Sequence, residues 1–402
     1  MPKNPAPPAD PTARPPRPWY ARPAARAWSC TPAPVAVRDF HASLPGYAPT
    51  PLVELPSLAC ELGVSRVFVK DESDRLGLPA FKALGASWAM HRALAGGASE
   101  ESGQILAPAA DLVTFVTATD GNHGRAVART ARLIGQRAEV FVPRGVHPAA
   151  VAAITAEGAL VTEVDGSYDE AVRRAADAAQ SPMEAGGSRR VLVQDTAWPG
   201  YEQIPRRIVE GYSTLFTEVD AQLAAEAAGP PGLVAVPVGV GSLAQAAVTH
   251  YRGAPAGHHG TALLAVEPEA AACVLESLTR GELTSITTGA TTMAGLNCGT
   301  PSALAWPFLR DGLDAAVAVT DAEAARAARD LAAHGISSGP CGAASLAGVR
   351  AALTGPGAAD RRTALALTAT STLVLLNTEG AAANPLTPAP DPEPDPDPNP
   401  EG

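Results

Sequence analysis

Eight short runs of aliphatic and β-branched residues alternate with Ala-rich segments, and this alternation is what most narrows the folds open to the chain. The runs are VFVK at 67–70, VTFVTATD at 113–120, AEVFVP at 138–143, VLVQD at 191–195, LVAVPVG at 233–239, LLAVEP at 263–268, AAVAVTD at 315–321 and LVLLNTEG at 373–380. Apolar runs of this length, bounded by turn residues, predict strands buried on both faces. Helices are predicted at 124–135, 149–157, 168–180, 243–250 and 322–334. The result is an α/β fold with mostly parallel sheets, in which ligands bind at loops leaving the carboxyl ends of strands. No repeat of fixed period is present.

The ends differ from the middle. Residues 1–32 and 383–402 are Pro-rich and too poor in apolar surface to offset their ordering entropy, so both are expected to be disordered tails. Part of the net charge of −11 sits in the second tail, and with no basic patch in view binding to nucleic acid is not expected. No apolar run is long enough to span a bilayer and no secretory signal is recognisable, so the expected location is the cytoplasm. The five cysteines lack the spacing of a zinc or redox site, and no metal is expected.

Lysine usage is more telling than total charge. Of 30 basic residues only Lys3, Lys70 and Lys82 are lysine, so arginine carries the surface charge. A primary amine has what a guanidinium lacks: it can lose its proton when desolvated and attack a carbonyl. Lys82 lies in LPAFKALGASWAM, where Phe81, Leu84 and Trp88 have helical spacing and face inward while the lysine stands at the helix start. A solvated helix lysine is the plain alternative, and its apolar neighbours argue against it.

Four strand ends carry polar or glycine-rich turns: KDES (70–73), TDGNHG (119–124), QDTAW (194–198) and GVGSLA (239–244). Together they outline one expected site. In GVGSLA, Gly239, Val240, Gly241, Ser242 and Leu243 form a cradle for an anion, because glycine admits close backbone approach and the following helix offers its positive end. The same pattern fits a dinucleotide loop with Glu267 as the ribose acid, and equally a plain tight turn. TDGNHG is explained locally by capping and turn formation, with His123 structural, but that leaves an acid and an amide held where ligands bind.

Taken in order, these motifs resemble the fold-type II pyridoxal 5'-phosphate enzymes, and among them the diaminopropionate ammonia-lyases. The resemblance covers about 47–380 and includes PTPL (49–52), VKDES, GLPAFKALG, TDGNHGRAVA, GSYDEAV (166–172), QDTAWPGYEQIP (194–205), GVGS, TMAGLNCG (292–299) and TEG (378–380). It implies two doubly wound, mostly parallel sheets with the active site between a large domain (33–84 and 190–382) and a small one (85–189), and a homodimer. It implies pyridoxal phosphate as cofactor, Lys82 as its Schiff-base lysine, Asn122 beside the phenolic oxygen, residues 239–243 around the phosphate and Thr378 facing the pyridine nitrogen.

The resemblance also implies a small amino-acid substrate, 2,3-diaminopropionate, eliminated to pyruvate and ammonia. Lys82 would take the α-proton of the L-isomer and Asp120 that of the D-isomer, while Asp195 orients or protonates the departing β-ammonium. The threonine and serine dehydratases carry a small residue where TDGN has Asp120. One segment departs from the family: GPCGAA (339–344) stands where relatives read G-E-S-G-A, so Cys341 competes with Thr378 for the place near the pyridine ring. The rival readings are a serine or threonine ammonia-lyase or β-replacement enzyme, a nicotinamide-dependent oxidoreductase built on GVGSLA, and a non-catalytic binding protein.

Overall fold

The computed structural model describes residues 18–95, 112–181, 188–253 and 260–383. Eleven strands are formed among them: β1 (Trp19–Ala21), β2 (Leu52–Glu54), β3 (Arg66–Asp71), β4 (Val113–Ala118), β5 (Arg137–Pro143), β6 (Leu160–Val164), β7 (Arg189–Leu192), β8 (Leu233–Pro237), β9 (Ala262–Pro268), β10 (Ala315–Val319) and β11 (Thr372–Asn377). They make a seven-stranded sheet in the order β1-β10-β9-β8-β11-β3-β2 and a four-stranded sheet in the order β6-β5-β4-β7. Pairing is parallel throughout, except that β1 and β2 run antiparallel at the two edges of the larger sheet.

Both faces of the larger sheet are covered, which is why its central strands read as unbroken apolar runs. In β8, Val234 and Val236 join the core shared with the helices Gln203–Ala225 and Ser242–Tyr251, while Leu233 and Ala235 join the opposite core with the helix Pro340–Leu353. β4 divides in the same way, Val113 and Phe115 facing one side and Val116 and Ala118 the other. The helix Ala83–Leu94 crosses Gln203–Ala225 where Gly85 meets Gly211; a Cβ on Gly211 would lie 2.5 Å from the Leu84 carbonyl oxygen. Only glycine permits that approach.

Two sequence expectations need correction. The first tail is structured from residue 18: β1 pairs with β10, and Arg26 Nε reaches Asp314 Oδ1 at 2.6 Å. Arg22 binds Asp311, and the Cys30 amide donates to the Arg252 carbonyl. Backbone pairing on an open sheet edge and two arginines meeting acids supply what apolar composition does not. Residues 1–17 and 384–402 lie outside the described residues. The boundary at 190 also shifts, because VLVQD supplies β7, which pairs with β4 as far as Leu192.

Candidate active site

The loops after β4, β7, β8 and β11 leave from carboxyl ends and converge on the N-terminus of Ala83–Leu94, where Lys82 is the cap residue. Lys82 Nζ lies 2.7 Å from Asp195 Oδ2. Burial lowers the lysine pKa, but the carboxylates of Asp195 and Asp120 outweigh it and hold the amine above its ordinary range. Burial likewise raises Asp195, and the adjacent Lys82 ammonium overcomes it, keeping that acid well below the carboxylate range. Asp120 is exposed, yet desolvation of its carboxyl by the protein around it pushes it up to about 6, with Lys82 opposing and Asp195 adding. The three groups form one electrostatic unit, a cation between two acids.

Local hydrogen bonds fix these side chains. Thr119 Oγ1 accepts from the amides of Gly121 and Gly124, closing the turn that carries Asp120 and Asn122. After β7, Gln194 Oε1 accepts from the Ala118 amide at 3.0 Å, and its Nε2 donates to the Tyr168 hydroxyl at 2.8 Å. The Tyr201 hydroxyl accepts from the Gln194 amide and donates to the Leu192 carbonyl. Ser242 Oγ donates to the Asp195 carbonyl, joining the end of β7 to the turn after β8. Tyr168, from GSYDEAV, thus stands beside Asp195 and Asp120, whose charges together with burial raise its pKa. The motif shows it; a role was not read from it.

Gly241 holds φ at +100°, a conformation that favours glycine, and a Cβ there would lie 2.6 Å from Leu309 Cδ1. A Cβ on Gly239 would come 3.0 Å from Cys298 Sγ. The helix Ser242–Tyr251 begins at this turn, so its first amides have no intrahelical acceptor and are available to an anion. Such a cradle, with an amine across the cleft, fits a phosphorylated aldehyde.

Several expectations are placed differently. The KDES side chains do not line the site with Lys82: Lys70 Nζ binds Glu218 Oε2 at 2.6 Å, and Arg75 binds both Glu72 and Glu218, all buried. Two acids and two cations satisfy one another there, against Gln203–Ala225. Glu267 accepts from the Val274 and Leu275 amides at 2.8 and 2.7 Å, so it caps the helix Cys273–Arg280 and is not a ribose acid. That removes the second half of the dinucleotide reading. His123 is buried and its Nε2 meets the Val193 carbonyl at 2.8 Å, while Nδ1 has no hydrogen-bond partner among the described residues.

Thr378 is buried at the end of β11, and its carbonyl accepts from the Phe81 amide. Cys341, its rival, is turned to another group: its amide donates to Glu379 Oε1 at 3.2 Å, and its thiol also interacts with that carboxyl. Glu379 further accepts from Asn122 Nδ2 at 2.7 Å. Glu379 was not singled out from the sequence, because TEG was read for its threonine.

Residues 43–369 match the family model described as pyridoxal-phosphate dependent enzyme. The chain belongs to that family. Within the family it is 39% identical over 306 residues to the diaminopropionate ammonia-lyase of Salmonella typhimurium, covering 73% of this chain and 74% of the relative. It is 36% identical over 356 residues to that of Escherichia coli K12, covering 85% and 87%. The crystal structure of the Escherichia coli enzyme in complex with an aminoacrylate-PLP azomethine reaction intermediate superposes with a TM-score of 0.76 at 35% identity, over 86% of this chain and 88% of that one. The fold is therefore that of the fold-type II enzymes, pyridoxal phosphate is the family's cofactor, and these relatives are lyases. Among the described residues no helix is long and apolar enough to cross a membrane.

Proposed function

We propose that this chain eliminates the β-amino group of 2,3-diaminopropionate as ammonia, leaving aminoacrylate that water hydrolyses to pyruvate and a second ammonia, with Lys82, Asp120 and Asp195 as the groups that move and hold protons. The observation that carries the reading is the lysine set 2.7 Å from one buried acid, with a second acid open to the same cleft. A substrate with two ammonium groups needs two anions, and the chain is similar in sequence to diaminopropionate ammonia-lyases.

In this reading residues 239–243 hold the cofactor phosphate, Asn122 its phenolic oxygen and Thr378 its pyridine nitrogen. Bound pyridoxal phosphate supplies the electron sink that stabilises negative charge at the substrate's α-carbon. Lys82 Nζ, charged beside Asp195 in this structure, would act as a base only once displaced from the cofactor as a neutral amine; it then takes the α-proton of the L-isomer, and Asp120 takes it from the opposite face for the D-isomer. Asp195 orients the β-ammonium, which departs with the C–N bonding electrons as neutral ammonia. A hydroxyl at Thr378 leaves the pyridine nitrogen less than fully protonated, which favours elimination over transamination. A large domain built on the seven-stranded sheet and a small one on the four-stranded sheet, a homodimer and a cytoplasmic location belong to the same reading.

The test is the visible spectrum of purified protein, followed by turnover of both isomers of diaminopropionate. A coloured protein that releases pyruvate, and a colourless, inactive Lys82→Ala variant, are expected. Activity on serine or threonine with none on diaminopropionate would move the assignment to the dehydratase reading.

A further inference from the structure

Glu379 sits where three segments meet. Residues 79–81, just before Lys82, pair with the end of β11: Ala80 bridges Glu379, and the Gly380 amide donates to the Pro79 carbonyl. The helix Pro340–Leu353 presents its first turn to the Glu379 carboxyl through the Cys341 amide. Asn122, at the start of the helix Asn122–Leu133, donates to Glu379 Oε2 at 2.7 Å. The carboxyl is buried and closely cradled; a Cβ on Gly339 would lie 2.7 Å from Oε1. Burial raises its pKa, while Cys341, Asn122 and Lys82 act in the opposite direction.

The chemistry of the contact is directional. Both oxygens of the Glu379 carboxyl already accept, Oε1 from the Cys341 amide and Oε2 from Asn122 Nδ2, whereas an amide has a donor end and an acceptor end. Turning Asn122 over would set its oxygen against Glu379 Oε2, two acceptors at hydrogen-bond distance. The carboxylate therefore locks the amide with nitrogen on its side, and one hydrogen of that nitrogen is left for another acceptor. We propose that Glu379 is a positioning residue: it fixes the Asn122 amide in the one orientation that offers a donor to the cofactor's phenolic oxygen. Cys341, where relatives carry serine, belongs to this anchor rather than to the pyridine ring.

The inference rests on Asn122 contacting the cofactor, so the experiment separates the two. Holoenzymes of the wild type, Glu379→Gln, Asn122→Ala and the double variant are compared by equilibrium dialysis of pyridoxal phosphate and by the pH dependence of the visible absorption band. Glu379→Gln admits the flipped amide, because glutamine can donate to the Asn122 oxygen. It should weaken cofactor binding about tenfold, the scale of one charge-assisted hydrogen bond, and shift the pH at which the band changes. In the double variant, binding should be no weaker than in Asn122→Ala alone. If the two effects multiply, or Glu379→Gln alters neither readout, Glu379 is only a helix cap and the inference falls. If Asn122→Ala itself changes nothing, the cofactor contact falls with it. Should the glutamine variant not fold, Glu379→Asp releases the amide by a different route, drawing the carboxylate away from Asn122 Nδ2, and weaker cofactor binding with a shifted band is again expected.

Discussion

Replacing Glu218 with glutamine would leave a buried ammonium without a counterion, and the structure sets the size of the effect. Glu218 accepts from the Tyr47 hydroxyl, the Thr50 amide, Lys70 Nζ and two nitrogens of Arg75, at 2.6 to 3.2 Å. With Glu72 it balances the charges of Lys70 and Arg75 inside the protein. After the substitution Lys70 keeps only neutral acceptors, the Thr50 carbonyl and Gln222 Oε1. Removing one partner of a buried pair costs about 3–5 kcal/mol, far above the roughly 0–1 kcal/mol of an exposed one.

The sign with pH follows from Lys70. Burial already lowers its pKa in the folded protein, and losing Glu218 lowers it further. Between that depressed value and the unfolded value of about 10.4 the unfolded chain binds the extra proton, so stability rises with pH across the window. The deficit of Glu218→Gln should therefore be largest near neutral pH and shrink as pH rises, and adding Lys70→Met should recover most of it. Urea unfolding midpoints at several pH values, with the m-value unchanged, measure this. A loss below about 1 kcal/mol, or a deficit independent of pH, would refute the claim that the network is an obligatory charge balance.

Two further predictions concern the site. Asp120→Asn should abolish turnover of the D-isomer selectively; in the wild type, kcat/KM for that isomer should rise as Asp120 deprotonates through about pH 6, and a pH profile shared by both isomers would contradict its role as base. Gly241→Ala forces a side chain into a left-handed turn and against Leu309 at 2.6 Å, a strain of about 1–3 kcal/mol, so its pyridoxal phosphate dissociation constant should rise while an unaltered constant would detach this turn from the phosphate pocket.

Much of the fold was legible because its signal is local. All eight apolar runs became strands, seven of them largely buried because residues covered on both faces must be apolar whichever neighbours they acquire, while β7, from VLVQD, is a partly exposed edge strand. β1 and β2 are three-residue edge pieces whose existence depends on partners far along the chain, and β6 is an exposed edge strand with a mixed pattern. The long helix Gln203–Ala225 was obscured because the face it buries carries Glu218 and Gly211, one chosen for the ion network and the other for close approach to Gly85. In the site, Lys82, Asp120 and Asp195 came from motifs, whereas Glu379 and Tyr168 act through neighbours that only the folded chain brings near. The reading of Lys70 among the site-forming turns failed for the same reason: its strand end is there, but its side chain points the other way.

The pairing of residues 79–81 with the end of β11 gives the active site a fixed and an adjustable half. Lys82 and Thr378, assigned to the Schiff base and the pyridine nitrogen, hang from two segments joined backbone to backbone, so the span between them is set before any ligand arrives. Both acids ride on the other sheet together with Asn122, so a tilt of that sheet by a fraction of an ångström would retune proton transfer and the contact assigned to the phenolic oxygen at the same time.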